Sequence, residues 1–235
     1  MARIHLWSDR VLTVARLGRV AMHAHAAPAL LFAVDGRFGL RLEGRRFEAV
    51  EQVFLPAGAR HELACEDARI GVLHLAPGVA DLGNLAPERG ARAALRAVFE
   101  GELAGPELAG WVNARVGPPP RRRARDVRID RAARRIAESA YENLPLATLA
   151  DEAGLSPSRL QHLFRQELGI TPRQLRTWRR LHEVARRVSE GETLTRAGLE
   201  AGFVDSAHLS HAFRRFLGIS PSRVLTRGSH VHVHP

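Results

Sequence analysis

His23 and His25 stand two residues apart, so on a β-strand both imidazoles face the same side. A third histidine, His61, follows Pro56-Ala57-Gly58-Ala59-Arg60. Imidazole nitrogens are good ligands for transition metals, and three of them can hold zinc with water in the fourth position. The five residues after His25 are Ala26, Ala27, Pro28, Ala29 and Leu30, so no carboxylate follows the pair. A divalent metal is the one cofactor these side chains suggest; the alternative is that His23, His25 and His61 line a pocket or strand ends without an ion. Cys65 is the single cysteine and can form no internal disulfide, which fits a reducing cytoplasm. A lone thiol in an apolar run is expected to be a small buried residue.

A second set of candidate side chains lies on a duplicated segment. At an offset of 48, Leu146, Glu152, Ala153 and Gly154 recur as Leu194, Glu200, Ala201 and Gly202. At an offset of 49, Leu160, His162, Phe164, Arg165, Leu168, Gly169, Ile170 and Pro172 recur as Leu209, His211, Phe213, Arg214, Leu217, Gly218, Ile219 and Pro221. Each copy has the grammar of a helix-turn-helix. A short helix (Leu146–Ala153 or Leu194–Ala201) ends on a glycine suited to positive φ. An apolar corner residue and an N-cap follow (Ser156 with Pro157, or Asp205), and then a second helix. Its apolar stripe is Leu160, Leu163, Phe164 and Leu168 in one copy, and Leu209, Ala212, Phe213 and Leu217 in the other. The stripe turns Ser158, Arg159, Gln161, His162 and Arg165 outward in the first copy. In the second it turns out Ser206, Ala207, His208, Ser210, His211, Arg214 and Arg215. Such a helix enters a DNA major groove, where Gln suits adenine, Arg suits guanine or phosphate, and His can donate to guanine.

These side chains need positioning elements. From 11 to 76 short apolar runs alternate with turn residues, giving candidate strands Val11–Leu17, Ala29–Val34, Phe38–Leu42, Arg46–Val50, Val53–Leu55, His61–Ala64 and Ile70–Ala76. That texture argues for a β-sandwich or barrel. Glu88–Glu100 and Pro106–Val116 have helical spacing, and their apolar faces can pack on the barrel or on a second subunit. Residues 117–126, Gly-Pro-Pro-Pro-Arg-Arg-Arg-Ala-Arg-Asp, read as an extended linker. Pro172–Gly191 reads as one long helix joining the two copies, able to set their recognition helices in successive grooves roughly 34 Å apart. Its Arg176, Arg179, Arg180, Arg186 and Arg187 either touch phosphate or solvate the outer face. The tail, residues 228–235, alternates His230, His232 and His234 and is expected as a disordered end or a metal-binding tract.

The charge agrees with this division. The chain has 235 residues and a formal net charge of +10, with every basic residue an arginine. Residues 1–116 hold 14 Arg against 13 Asp or Glu, whereas residues 117–235 hold 21 against 12. A basic half behind a near-neutral one points to a polyanion-binding module attached to a second domain. Hydrophobic residues at 45% exclude wholesale disorder, and no apolar run reaches the roughly 18 residues a membrane span needs.

Two resemblances follow. His23-x-His25 with Pro56-x-Gly58-x-x-His61 resembles the cupin family, a small β-barrel with an internal pocket. Its metal-binding members use three such histidines and a carboxylate, which this chain lacks along with the glycine expected where Val50 stands. Ala201-Gly202-Phe203-Val204-Asp205 through Phe213-Arg214-Arg215-Phe216-Leu217-Gly218-Ile219-Ser220-Pro221 resembles the signature of AraC-type transcriptional regulators, and Arg180-Leu181 with Ala185 fits that family's linker helix.

Together the resemblances imply an α+β multidomain chain. Residues 1–116 would be a cupin-like effector and dimerisation barrel with two helices. Residues 127–227 would be an all-α DNA-binding domain of two helix-turn-helix units joined by a long helix. The implied function is sequence-specific binding of double-stranded DNA in the cytoplasm to regulate or activate transcription. The chain would act as a homodimer, under an unidentified small-molecule effector in the barrel, with RNA polymerase as a further partner and no catalysis. The alternative is a metal-binding cupin enzyme or metal sensor fused to a DNA-binding domain. Two departures from the AraC pattern carry expectations. Ala197-Gly198 stand where the family has Ile-Ala, predicting a looser second unit. Val224-Leu225 stand where an aromatic-arginine pair is usual, predicting incomplete packing at the end.

Overall fold

The computed structural model describes residues 2–76, 91–116, 126–225 and 230–234. Its N-terminal part is a nearly closed, mainly antiparallel barrel. The strands are β1 (Arg3–Trp7), β2 (Arg10–Ala24), β3 (Ala29–Ala33), β4 (Phe38–Leu42), β5 (Glu48–Val50), β6 (Gln52–Leu55) and β7 (Arg60–Leu75). The long strand β7 is the spine. One edge pairs with β2 along most of its length; the other pairs with β4 over His61–Ala64 and with β3 over Ile70–His74.

The two strands expected at 61–64 and 70–76 are thus a single one. Glu66 and Asp67 lie between the two expected strands, but β7 takes its extra residues into a bulge, where Gly18 faces Cys65 and Arg16 faces Arg69. Glu66 is exposed, while Cys65 and Ala68 turn inward. Cys65 is a small core residue whose thiol burial pushes up to about 12, which leaves it unreactive.

Alternation along β2 divides the barrel's two faces. Leu12 and Val14, with Leu30, Phe32, Leu73 and Leu75, pack against α1 (Ala91–Glu100) and α2 (Gly105–Val116) through Leu95, Val98, Leu108 and Val112. The two helices therefore cover the barrel of their own chain. Residues 88–90 of the expected first helix, and 117–125 of the linker, lie outside the described residues. Val11 and Ala15 face the opposite way, into a core that continues into the C-terminal half.

That half begins at α3 (Val127–Glu138), where Asp126 caps the helix by accepting from Arg128 N–H. It continues as α4 (Leu146–Glu152), α5 (Pro157–Leu168), α6 (Pro172–Ser189), α7 (Leu194–Glu200), α8 (Ser206–Leu217) and α9 (Pro221–Val224). Every expected helix of the repeat is present. The caps are Ser156 and Asp205, each accepting from the backbone N–H three residues on. Gly154 and Gly202 take φ of 65° and 87°, closed to most side chains, and so turn the chain from the first helix toward the second.

The tail corrects an expectation. His230–Val233 is no disordered end but a further strand, β8, laid parallel to β1 with Arg3 opposite His230 and His5 opposite His232. Its alternation puts His232 and His234 against His5, and His234 over Trp7 with ring centroids 4.4 Å apart. Residues 226–229 and 235 lie outside the described residues.

Candidate nucleic-acid interface and histidine cluster

The two repeated units are built alike but are seated differently. In the first, Leu160, Leu163, Phe164 and Leu168 of α5 pack with Leu149 and Ala150 of α4 and with Ile129, Ala132 and Ile136 of α3, forming a core of their own. In the second, Leu209, Ala212, Phe213 and Phe216 of α8 belong to a cluster that runs without interruption into the barrel. Phe216, left out of the expected stripe, is 2% exposed. Leu217, placed in it, is half-buried and lies instead against the barrel wall.

The expected looseness of the second unit is not found. Ala197 is fully buried, and Gly198 packs closely on Leu209: a Cβ there would lie 2.9 Å from Leu209 Cδ2, so that methyl would have to move. Glycine permits closer approach of α7 and α8, and the Leu209 side chain takes the volume an alanine would fill. Val224 and Leu225 are likewise buried, so the chain end is packed.

The recognition residues fall where the stripe sends them. Ser158, Arg159, His162 and Arg165 on α5 are exposed, as are Ser206, Ala207, His208, His211, Arg214 and Arg215 on α8. Gln161 and Ser210 are half-buried. Gln161 and His208 border a cleft of about 530 Å³ between the units, floored by Arg173, Arg176 and Arg180 of α6. His208 is steadied by its ring edge on Phe203, with centroids 5.3 Å apart.

The linker arginines are engaged by acceptors of the protein itself. Arg180 is buried and donates to Ala140 O (2.6 Å), Asn143 Oδ1 (2.9 Å), Glu142 O (3.2 Å) and Gly202 O (2.8 Å). It therefore ties the loop before the first unit to the turn of the second. Arg176 donates to Leu144 O and Arg179 to Ser8 O of the barrel. Arg186 and Arg187 share Glu183, with Glu190 and Glu192 as further partners.

The barrel histidines also come together. His23 and His61 are direct partners across β2 and β7, next to a second bulge that begins at Val20. His25 follows the end of β2, and its carbonyl accepts from Gly58 N–H of the loop before His61. One nitrogen from each of the three rings lies within 4.8 Å of the others, and His23 Nε2 is 2.9 Å from His25 Nε2. His23 Nδ1–H donates to Ala21 O and His61 Nδ1–H to Ala59 O, because a carbonyl can only accept. In the neutral rings both Nε2 lone pairs then point into the cluster, as outer hydrogen bonds orient metal-binding histidines.

His74, which the sequence offers either as a fourth pocket histidine or as an ordinary strand residue, joins the cluster; its ring centroid is 4.9 Å from that of His25. Burial, reinforced by the neighbouring rings, pulls His74 down to about 3 and His25 well below the usual imidazole range. Burial also lowers His61 to about 4. All three are neutral at neutral pH, the form that binds metal. Glu62 does not join them. It faces outward, bridging Arg19 and Arg41.

Comparisons with known proteins agree with this geometry. A family model described as a helix-turn-helix domain matches residues 149–227. The arabinose operon regulatory protein of Escherichia coli K12 is 34% identical over 113 residues, which is 47% of this chain and 37% of that protein. Its counterpart in Salmonella typhimurium LT2 is 33% identical over 112 residues, 47% of this chain and 38% of that protein. The match thus spans well under half of these relatives' length. Among solved structures, ToxT of Vibrio cholerae O395 bound to (E)-4-(8-methylnaphthalen-1-yl)but-3-enoic acid aligns with a TM-score of 0.58 at 14% identity. That alignment covers 93% of this chain and 98% of ToxT. Residues 149–227 thus match a helix-turn-helix domain, and the chain shares the barrel-plus-helices fold of ToxT.

Proposed function

We propose that the protein is a sequence-specific transcriptional regulator that binds double-stranded DNA through α5 and α8, with the barrel as its effector domain. The observation that carries this reading is the pair of capped recognition helices, each with its base-reaching side chains turned outward on an arginine-rich half. Phosphate contacts supply affinity and base-edge contacts supply sequence. The named activities of the arabinose regulators support the reading. ToxT's bound organic acid supports a ligand-responsive role for this fold. In this reading the chain acts in the cytoplasm without catalysis, pairs as a homodimer and contacts RNA polymerase. The effector shifts how barrel and helices are arranged, which requires it to distinguish two states.

The test is a gel-shift survey of promoter fragments, including the protein's own, at moderate salt. A sequence-selective shift that weakens in Arg159→Ala supports the reading, and no shift of any fragment overturns it.

A further inference from the structure

The histidine cluster sits directly beneath the turn that ends the second recognition helix. Gly218 closes α8 with φ of 76°, and Ala26 N–H, next to His25, donates to Arg215 O at 2.9 Å. A Cβ on Gly218 would lie 2.5 Å from His25 Nε2 and would collide outright with His23 Nε2. The space on that side of the two nitrogens is therefore filled by the glycine backbone. Leu217, Ile219 and Val224 close the rest of the opening, leaving a cavity of about 20 Å³ beside His23, His25 and His74. Organic ligands are commonly held in about 300–1,000 Å³. This cavity, with the turn docked, has room for an ion or a water and for nothing larger.

An ion at these histidines would lack a fourth protein ligand. Tetrahedral zinc sets its nitrogens about 3.3 Å apart, within reach of small ring rotations in a group spanning 4.8 Å. Among the described residues that group is His23, His25 and His61, and the adjacent carboxylate, Glu62, is committed to Arg19 and Arg41 on the outside. The remaining position must go to water on the open side, beside half-exposed His23, where the Gly218 backbone lies. Meanwhile buried nitrogens stay without hydrogen-bond partners: His25 Nδ1, His61 Nε2 and both nitrogens of His74. Such groups are costly in a low-dielectric site, and ion binding would satisfy His61 Nε2 directly.

We propose that a hydrated divalent transition-metal ion on His23, His25 and His61 and the Leu217–Gly218–Ile219 turn of the second helix-turn-helix are alternative occupants of the barrel mouth. Metal binding then releases α8 from the barrel. The metal-binding and release steps stand on geometry alone; their regulatory meaning rests on the DNA-binding reading above.

The experiment titrates the metal-free full-length chain with Zn²⁺ and follows stoichiometry, amide exchange and DNA affinity, with Mg²⁺ as control. The expected result is one zinc per chain, lost in His23→Gln and His61→Gln. Zinc should speed exchange at Ala26 and at 217–219 and raise DNA affinity about tenfold. Gly218→Asn keeps a residue tolerated at positive φ but adds the colliding Cβ, so its turn should exchange fast with or without zinc. Absence of stoichiometric zinc overturns the proposal, as does zinc binding that leaves exchange at 217–219 unchanged or slower. If no DNA is bound by the wild type or by Gly218→Asn in either metal state, the regulator reading falls, while the exchange data still decide the competition at the barrel mouth.

Discussion

The two helix-turn-helix units descend from one sequence pattern, yet they live in different surroundings. The first rests on α3 and closes its own core through Ile129, Ile136, Leu149 and Leu160. The second has no such private core: Leu209, Phe213 and Phe216 continue into Trp178, Leu181 and the barrel residues Ile4, Leu6 and Val11. Identical helical grammar therefore produces one unit with a core of its own and one whose position the barrel governs. In the proposed reading such a chain needs no long wire between effector and DNA, because the barrel forms part of the wall of the second unit.

The comparison breaks most completely if its joint is cut. Arg180→Met removes the donor for four acceptors contributed by the loop before the first unit and by Gly202, and should destabilise the helical half by about 4 kcal/mol. Thermal melting followed by helical circular dichroism checks this; a loss below about 1 kcal/mol would mean the units do not depend on their shared arginine. Next come matched core deletions. Leu160→Ala and Leu209→Ala should each cost about 3 kcal/mol, since both side chains are almost wholly buried. Only Leu209→Ala should also speed amide exchange in β1 and β2; equal effects on the barrel would dissolve the distinction between the units.

Acid should act on the same seam. His5 is buried where β1, β8 and Trp7 meet, and burial, followed by repulsion from His232 and His234, holds it down to about 3. The unfolded chain takes up a proton near 6.5 and the folded chain does not. Stability is therefore complete above that pH and falls by about 1.4 kcal/mol per unit as pH drops from 6.5 toward 3. Hydrogen exchange between pH 6.5 and 5 should show the barrel and second unit loosening while α3 to α5 hold. The smallest effect is at the DNA face. Gln161→Ala should cost about 1 kcal/mol of discrimination at one base pair, and that cost should be the same with and without zinc, because the first unit's core is separate from the cluster that reaches the barrel.

What could be read in advance follows the range of the interactions. The helix-turn-helix units were legible to within a residue because caps, turn glycines and apolar stripes act within a dozen residues. Several signals misled. The polar pair Glu66-Asp67 separates two expected strands, but a bulge opposite Gly18 absorbs it. Gly198 looked like weakness until Leu209 was seen lying against it. The arginines of α6 looked like a solvated or phosphate-facing stripe, although their partners are carbonyls and carboxylates that folding brings near. His74 carried no motif at all; only the pairing of β7 with β2 and β3 brings it to the cluster.

The amino-acid sequence by itself determined two things: the duplicated helix-turn-helix units, with their outward side chains, and the histidines able to meet on one barrel wall. Both follow from periodicity and local backbone preference. Tertiary structure alone decided that the second unit docks on those histidines through Gly218, that the histidine tail becomes an edge strand on β1, and that the mouth has room for little more than an ion. Those facts depend on which distant surfaces exclude water together, and no local pattern encodes that choice.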